Sequence, residues 1–332
     1  MLRLRSLLGI LAAIALTVCL VGQTAEAGTY RVIYANFFGP SHPNSKAMEF
    51  FRDKVEKDSN GAIKVTIKPN NEAGGEEKIM ELVKRGTLQI VQVGGLLKDD
   101  EPMIGAWEQP FIIDSWDHAR KVYFDPGFKK FHGNYDKTTG VQIRGQIVNG
   151  FRQISSSYKI ANMDDLRKMK IRVPLMETIL KVFQALGTNP TPMPMTELYT
   201  AMETKVVDGQ DNPYSTVKNM GWWEVQPFLL ETRHIFSPTS VLVNTAFYNK
   251  LPDDLKKVFD EALSESIKYA WELAEDDENE CIEFLKSKGL TFTYPDEEFK
   301  KQMRDAMTSA YAWYDENIPG SKEFREFCDS LK

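Results

Sequence analysis

The stretch AIKVTIKP, residues 62–69, alternates Ile63, Val65 and Ile67 with Lys64, Thr66 and Lys68. A period of two marks a strand with one buried and one wet face. On its amino-terminal side, NSKAMEFFRDKVEKDSNG (44–61) sets Met48, Phe51 and Val55 on one helical face and stops at Asn60-Gly61. On its carboxyl side, EEKIMELVKRG (76–86) repeats a helical stripe with Ile79, Leu82 and Val83. YRVIYANF (30–37) and TLQIVQVGG (87–95) complete the series as strands. The order strand, helix, strand, helix, strand predicts a doubly wound α/β lobe. Ligands of such sheets sit beyond the carboxyl ends of the strands, so the loops at 37–42 and at Gly94-Gly95 are expected beside any site.

Farther on, after VQIRGQIVNG (141–150), the alternation resumes. KIRV (170–173) reads as a short strand, METILKVFQALG (176–187) and TELYTAMETK (196–205) read as helices, and VVDGQDNP (206–213) follows. A second α/β lobe, facing the first across a cleft, is the expectation. Residues 252–289 form one long helical pattern whose apolar stripe opens with Leu255, Val258, Phe259 and Leu263. At about 1.5 Å per residue such a helix runs roughly 50 Å, enough to brace both lobes. The expected division is lobe I at 28–149 plus 238–277, and lobe II at 150–237 plus 278–332.

The amino terminus carries Arg3 and Arg5, an uncharged, largely apolar run from Leu7 to Val21, and the small-residue pattern Ala25-Glu26-Ala27. Residues 1–27 therefore read as a secretory signal peptide cleaved after Ala27, leaving an exported protein that is not embedded in a membrane. Cys19 raises lipid anchoring, but bulky Val18 stands where that signal wants a small residue. Of 41 basic and 47 acidic residues, two and one fall in the leader, so the remainder carries a formal charge of −7. That balance argues against a nucleic-acid partner. Cys281 and Cys328 remain, too few for a disulfide scaffold although one bridge between them is open.

No metal-binding HExxH, paired CxxC, G-x-S-x-G elbow or glycine-rich phosphate loop is present, and His42, His118, His132 and His234 are scattered. Ser155, Ser156 and Ser157 read as turn and capping groups rather than nucleophiles. No enzyme, metal or cofactor is expected on this reading. Three polar residues stand in apolar surroundings: Arg152 in VNGFRQISSS, Arg172 in KIRVP and Asn212 in VVDGQDNP. Taken singly, each arginine reads first as a surface charge or a structural ion pair. A guanidinium is also the group whose planar fork donates two parallel hydrogen bonds to a carboxylate, and an asparagine adds one donor and one acceptor.

These residues lie in longer runs: GFRQISSSYKIANMDDLRKMKIRVP (150–174), ALGTNPTPMPMTELYTAMETKVVDGQDNP (185–213) and PFLLETRH (227–234). With ANFFGPSHP, ELVKRGTLQIV and WEQPFII earlier in the chain, they resemble the extracytoplasmic solute-binding subunits of TRAP transporters, a group named for four-carbon dicarboxylates. The resemblance implies a two-lobed periplasmic binding protein fold, a small carboxylate ligand, delivery to TRAP membrane permease subunits, and a monomer. It implies that Arg172 makes the principal bidentate bridge to the ligand carboxylate, that Arg152 supports the ligand, and that Asn212 contacts the carboxylate. The residue before TELY lines the pocket and is often aromatic in the family; here it is Met195. Gly94 and Gly95 stand where sialic-acid-binding members carry a glutamate, leaving no side chain there for a polyhydroxylated ligand. Phe37 and Phe38, on the first strand-end loop, are candidates for an apolar wall, with Trp107, Phe151 and Trp222-Trp223, whose first reading is core packing. A sensor of the same fold that reports to a receptor is the alternative function; an exported hydrolase finds no residue set.

Overall fold

The computed structural model describes residues 29–332. The expected leader and Cys19 lie outside the described residues. The strands are β1 (Tyr30–Ala35), β2 (Ile63–Lys68), β3 (Ile90–Val93), β4 (Val141–Phe151), β5 (Gln153–Ser156), β6 (Lys170–Val173), β7 (Asn189–Pro192), β8 (Gly209–Asn212), β9 (Phe228–Leu230), β10 (Phe236–Asn244) and β11 (Thr291–Thr293). They form two sheets, in the orders β2-β1-β3-β10-β4 and β11-β9-β5-β8-β6-β7.

In the first sheet β1 pairs in parallel with β2 and β3, with Tyr30 opposite Ile63 and Tyr34 opposite Ile90. Ile63 and Val65 are buried while Lys64 and Thr66 face water, as the alternation requires. The Pro43–Asp58 helix presents Met48, Phe51 and Val55 to this sheet. β10 runs antiparallel to both β3 and β4, so the sheet is mixed rather than parallel throughout. The second sheet is also mixed, with β6 parallel to β7 and β8 while β5 opposes β8 and β9.

The chain passes between the sheets where β4 gives way to β5 and where β9 leads into β10. At this crossing Phe236 pairs with Phe151, and Arg152 N donates to Ile235 O at 2.8 Å. The lobes meet again through the Tyr214–Asn219 helix: Thr216 donates to Asn149 Oδ1 at 2.8 Å, and Ser215 pairs with His42 Nε2 at 3.2 Å.

The Asp253–Ser287 helix spans both units. Its early turns bury Phe259, Leu263 and Ile267 in the first core, and its end buries Cys281 and Leu285 in a second core with Trp222 and Leu229. Ion pairs stitch it down on both sides, from Lys54 to Glu265 at 3.3 Å and from Arg233 to Glu278 at 2.7 Å. The Ser321–Asp329 helix, counted with lobe II from the sequence, packs instead on the first unit: Gln109 Nε2 donates to Ser321 O at 3.0 Å, and His118 Nε2 lies 2.8 Å from Cys328 O. Cys281 and Cys328 are both buried free thiols, so no bridge joins them. Ser155 and Ser156 sit in β5 rather than in a turn, each with its hydroxyl hydrogen-bonded.

Trp271 ties the long helix to the crossing strands. It is buried, donates from Nε1 to Gln146 O at 2.9 Å and stacks on Phe236 with ring centroids 5.9 Å apart. Trp271→Ala is expected to destabilise the protein by about 3–5 kcal/mol, read as a lower urea midpoint.

Candidate functional site

The carboxyl ends of strands from both sheets converge on a cavity of about 60 Å³ between the lobes. From the first lobe come Phe37 beyond β1, Glu76 at the start of the Glu76–Lys84 helix, Gly94 and Gly95 beyond β3, Glu108, and Ser237 on β10. The second lobe supplies Arg172 on β6, Met176, Met195 and Asn212 at the end of β8, with Arg152 at the crossing.

Arg172 follows from the strand pattern and its stop. Ile171 and Val173 fix β6 in the core, and Pro174 ends it. The arginine is 4% exposed. Its Nε and Nη2 both donate to Met193 O, at 3.0 and 2.9 Å, which holds the guanidinium flat and leaves the Nη1–Nη2 edge without a partner among the described residues. No acidic side chain pairs with it among the described residues. Burial pulls its pKa down to about 10, with neighbouring Arg152 also opposing the charge and Asp211 supporting it; at neutral pH the group remains a cation.

Arg152 is differently placed. Its Nε donates to Asp211 Oδ2 at 2.5 Å and its Nη2 to Asp211 O at 2.6 Å. Burial pushes the Asp211 carboxyl up, but the Arg152 charge and the His234 and Arg152 hydrogen bonds outweigh it and hold the group well below the usual carboxylate range. Arg152 therefore lines the cavity as one half of a buried ion pair. Asn212 is turned so that its Nδ2 donates to Gln210 Oε1 at 2.7 Å.

Phe38, Trp107 and Phe151 do not line the cavity. Phe38 stacks on His42 at 4.2 Å, and Trp107 donates to Phe131 O at 3.0 Å in the first core. The Phe151 ring packs among Trp116 and Phe236 with the Arg233 guanidinium 3.7 Å above it. Trp222 belongs to the second core, and Trp223 packs on Phe284. Phe37 and Phe38 lie in the bend beyond β1 with ring centroids 4.1 Å apart, and Phe37 is the one of the pair that reaches the cavity.

The glycine pair is not a gap in the polar lining. Gly94 N donates to Glu76, and a Cβ on Gly95 would come within 2.2 Å of Glu108 Oε2 and 2.1 Å of Met176 Cε. Two carboxylates from elsewhere in the chain thus occupy the space the glycines leave. Glu108 is 4% exposed and accepts from Ser237. Burial raises its pKa against the pull of Arg152. Burial likewise pushes the Glu76 carboxyl up to about 7, opposed by the Gly94 amide and reinforced by Glu77 and Glu108. Sequence reading missed both glutamates and Asp211. Asp211 was detectable beside Asn212, whereas nothing local distinguishes Glu108. Among the described residues no group of three His, Cys, Asp or Glu is placed to hold a metal ion, and no helix is long and apolar enough to cross a membrane.

Residues 34–317 match the family described as bacterial extracellular solute-binding protein, family 7. The chain belongs to that family. It is 28% identical to the sialic acid-binding periplasmic protein SiaP of Vibrio cholerae over 91% of this chain and 93% of the relative. A TRAP periplasmic solute-binding protein of Haemophilus influenzae, solved with L-gulonate bound, is 31% identical with a TM-score of 0.87, covering 91% of this chain and 99% of that one. The sugar acid-binding protein of Advenella mimigardefordensis, solved with galactonate, is 27% identical with a TM-score of 0.89, covering 92% and 99%. The two-lobed family fold and the long bracing helix are common ground.

Glu76 gives this family member a pH signature. Its folded pKa stands above the ordinary 4.5, so the folded state holds the proton more tightly than the unfolded chain. The contribution of Glu76 to unliganded stability therefore falls as pH rises from about 4.5 towards 7 and stays low above that range. Glu76→Gln is expected to melt at a higher temperature than wild type at about pH 8 and at a similar one at about pH 5, checked by thermal scans in both buffers.

Proposed function

We propose that this solute-binding protein captures a small organic acid anion by its carboxylate on Arg172 and hands it to a TRAP-type permease in the inner membrane. The observation that carries the reading is the buried Arg172 guanidinium, charged, facing the cavity and without an acidic partner among the described residues. Leaving a charge desolvated and unpaired is costly, so a site built this way favours an anion whose two oxygens match the free edge of the fork. Arg152 and Asn212 contribute from the same lobe. Arg152, already paired to Asp211, adds direction more than net charge. Met195, Phe37, Gly94 and Gly95 shape the rest of the pocket. The organic acids held by the Haemophilus and Advenella relatives support the ligand class.

In this reading the division at 149/150 and 237/238 falls at the crossing strands, about which lobe I closes over an anion bound to lobe II by hinge motion. The protein is exported to the periplasm with residues 1–27 removed, acts as a monomer and catalyses no reaction on its ligand. A carboxylate library screened by thermal shift identifies the acid, since a ligand at about a hundred times its dissociation constant stabilises by about 2.7 kcal/mol. Calorimetry then tests the anchor. Arg172→Ala is expected to weaken binding by roughly thirty-fold to several thousand-fold, the cost of about 2–5 kcal/mol for breaking a buried charge pair. Arg172→Lys also loses affinity, because a point charge cannot reproduce the fork. Wild-type affinity in either variant would remove Arg172 from the site.

A further inference from the structure

We infer that the acid taken by this cavity is a polyhydroxylated monocarboxylate of the sugar-acid type, whose hydroxyls donate to Glu108 and Glu76, and that these two carboxylates turn away short dicarboxylates. The inference rests on Arg172 as the carboxylate anchor and adds what reads the remainder of the ligand.

Charge sets the first limit. Arg172 is the cation of the lining that no acid claims, since Arg152 is committed to Asp211. Opposite stand Glu108 and Glu76, with Glu77 at the rim. Lys98, whose charge also reaches Glu108, is paired with Asp99 at 2.5 Å. One ligand carboxylate satisfies the free cation. A second, a few ångströms away as in a four-carbon diacid, meets no cation left over and faces two glutamates, and like charges brought together out of water repel strongly.

Hydrogen bonding sets the second limit. An ionised carboxylate only accepts. Glu108 uses Oε1 for the Ser237 hydroxyl, and its Oε2, over Gly95, has no hydrogen-bond partner among the described residues. Glu76 uses Oε1 for the Gly94 amide. An apolar ligand body would leave these acceptors buried and unsatisfied, whereas a chain of neutral hydroxyls supplies donors. The arrangement depends on glycine at 95, because any larger residue would displace Glu108 from the cavity. Burial is the main cause of the raised Glu76 pKa, with the charges of Glu77 and Glu108 adding to it.

The test is calorimetry on the processed protein at about pH 8, where both carboxylates are more fully ionised. The probes are D-gluconate, L-gulonate and D-galactonate, against succinate, L-malate and hexanoate. At least one six-carbon aldonate is expected to bind about a hundred-fold or more tighter than succinate or hexanoate. Glu108→Gln keeps the shape but loses the charge. It is expected to weaken the best aldonate by about tenfold and to strengthen succinate, so the ratio between them narrows. Glu76→Gln, on a different element, should shift the ratio the same way. Succinate or hexanoate matching the best aldonate overturns the inference, as does an equal loss for both ligand classes in the two glutamine variants, which would mark a merely structural role. If succinate wins and its binding requires Arg172, the anchor stands and only this inference falls; if no acid binds wild type, both fall.

Discussion

Arg172 keeps a full positive charge out of water with a backbone carbonyl, Met193 O, as its hydrogen-bonding partner. In a protein interior that is an expensive arrangement, and the surroundings are organised to tolerate it. The carbonyl comes from the turn after β7, which lies beside β6 in register, Val173 opposite Pro192. The strand pair thus fixes the guanidinium plane before any other group arrives. Opposing charge comes from across the cleft, in Glu76, and from Asp211 beneath.

Arg152 shows why a second arginine can sit so near. Two bare guanidinium groups in one cavity would repel, and each lowers the other's readiness to carry charge. Asp211 removes the conflict by binding Arg152 through both its carboxylate and its backbone carbonyl, and His234 holds the same carboxylate oxygen from 3.3 Å. Arg152 and His234 flank the points where the chain crosses between sheets. The pair consequently does two things: it pins the crossing, and it leaves Arg172 as the unclaimed charge.

Much of this was legible from local pattern. Alternation in 62–69, the helical stripes beside it and the KIRV strand all correspond to elements with nearly the same limits, because each buries its apolar face against one sheet. Phe37 and the glycine pair reach the cavity because strand-end loops of an α/β lobe are readable from periodicity, whereas Arg172, Asn212 and Met195, which reach it too, were singled out by the family resemblance. Phe38, Trp107 and Phe151 do not. Their aromatic character says that they are buried but not against what, and cores compete with sites for the same residue types. Glu108 was invisible for another reason. Its role depends on Ser237, 129 residues later, and on the absence of a side chain at Gly95. The last helix was misplaced similarly, as its partners Gln109 and His118 lie some two hundred residues earlier.

The glycines at 94 and 95 carry the remaining step. Read along the chain, they look like the loss of a ligand-binding side chain. In three dimensions Gly95 admits Glu108 and Met176 from two other segments, one from each lobe, to within a distance that no Cβ would permit. Acidic groups then come from the first lobe and the free cation from the second, so closing the cleft brings opposite charges together. In the proposed reading a ligand carboxylate gives Arg172 the anionic partner it lacks, from the second lobe, while hydroxyl donors on the same ligand meet Glu76 and Glu108 of the first. One ligand then contacts both lobes, and contacts made only in the closed form are what would hold it closed.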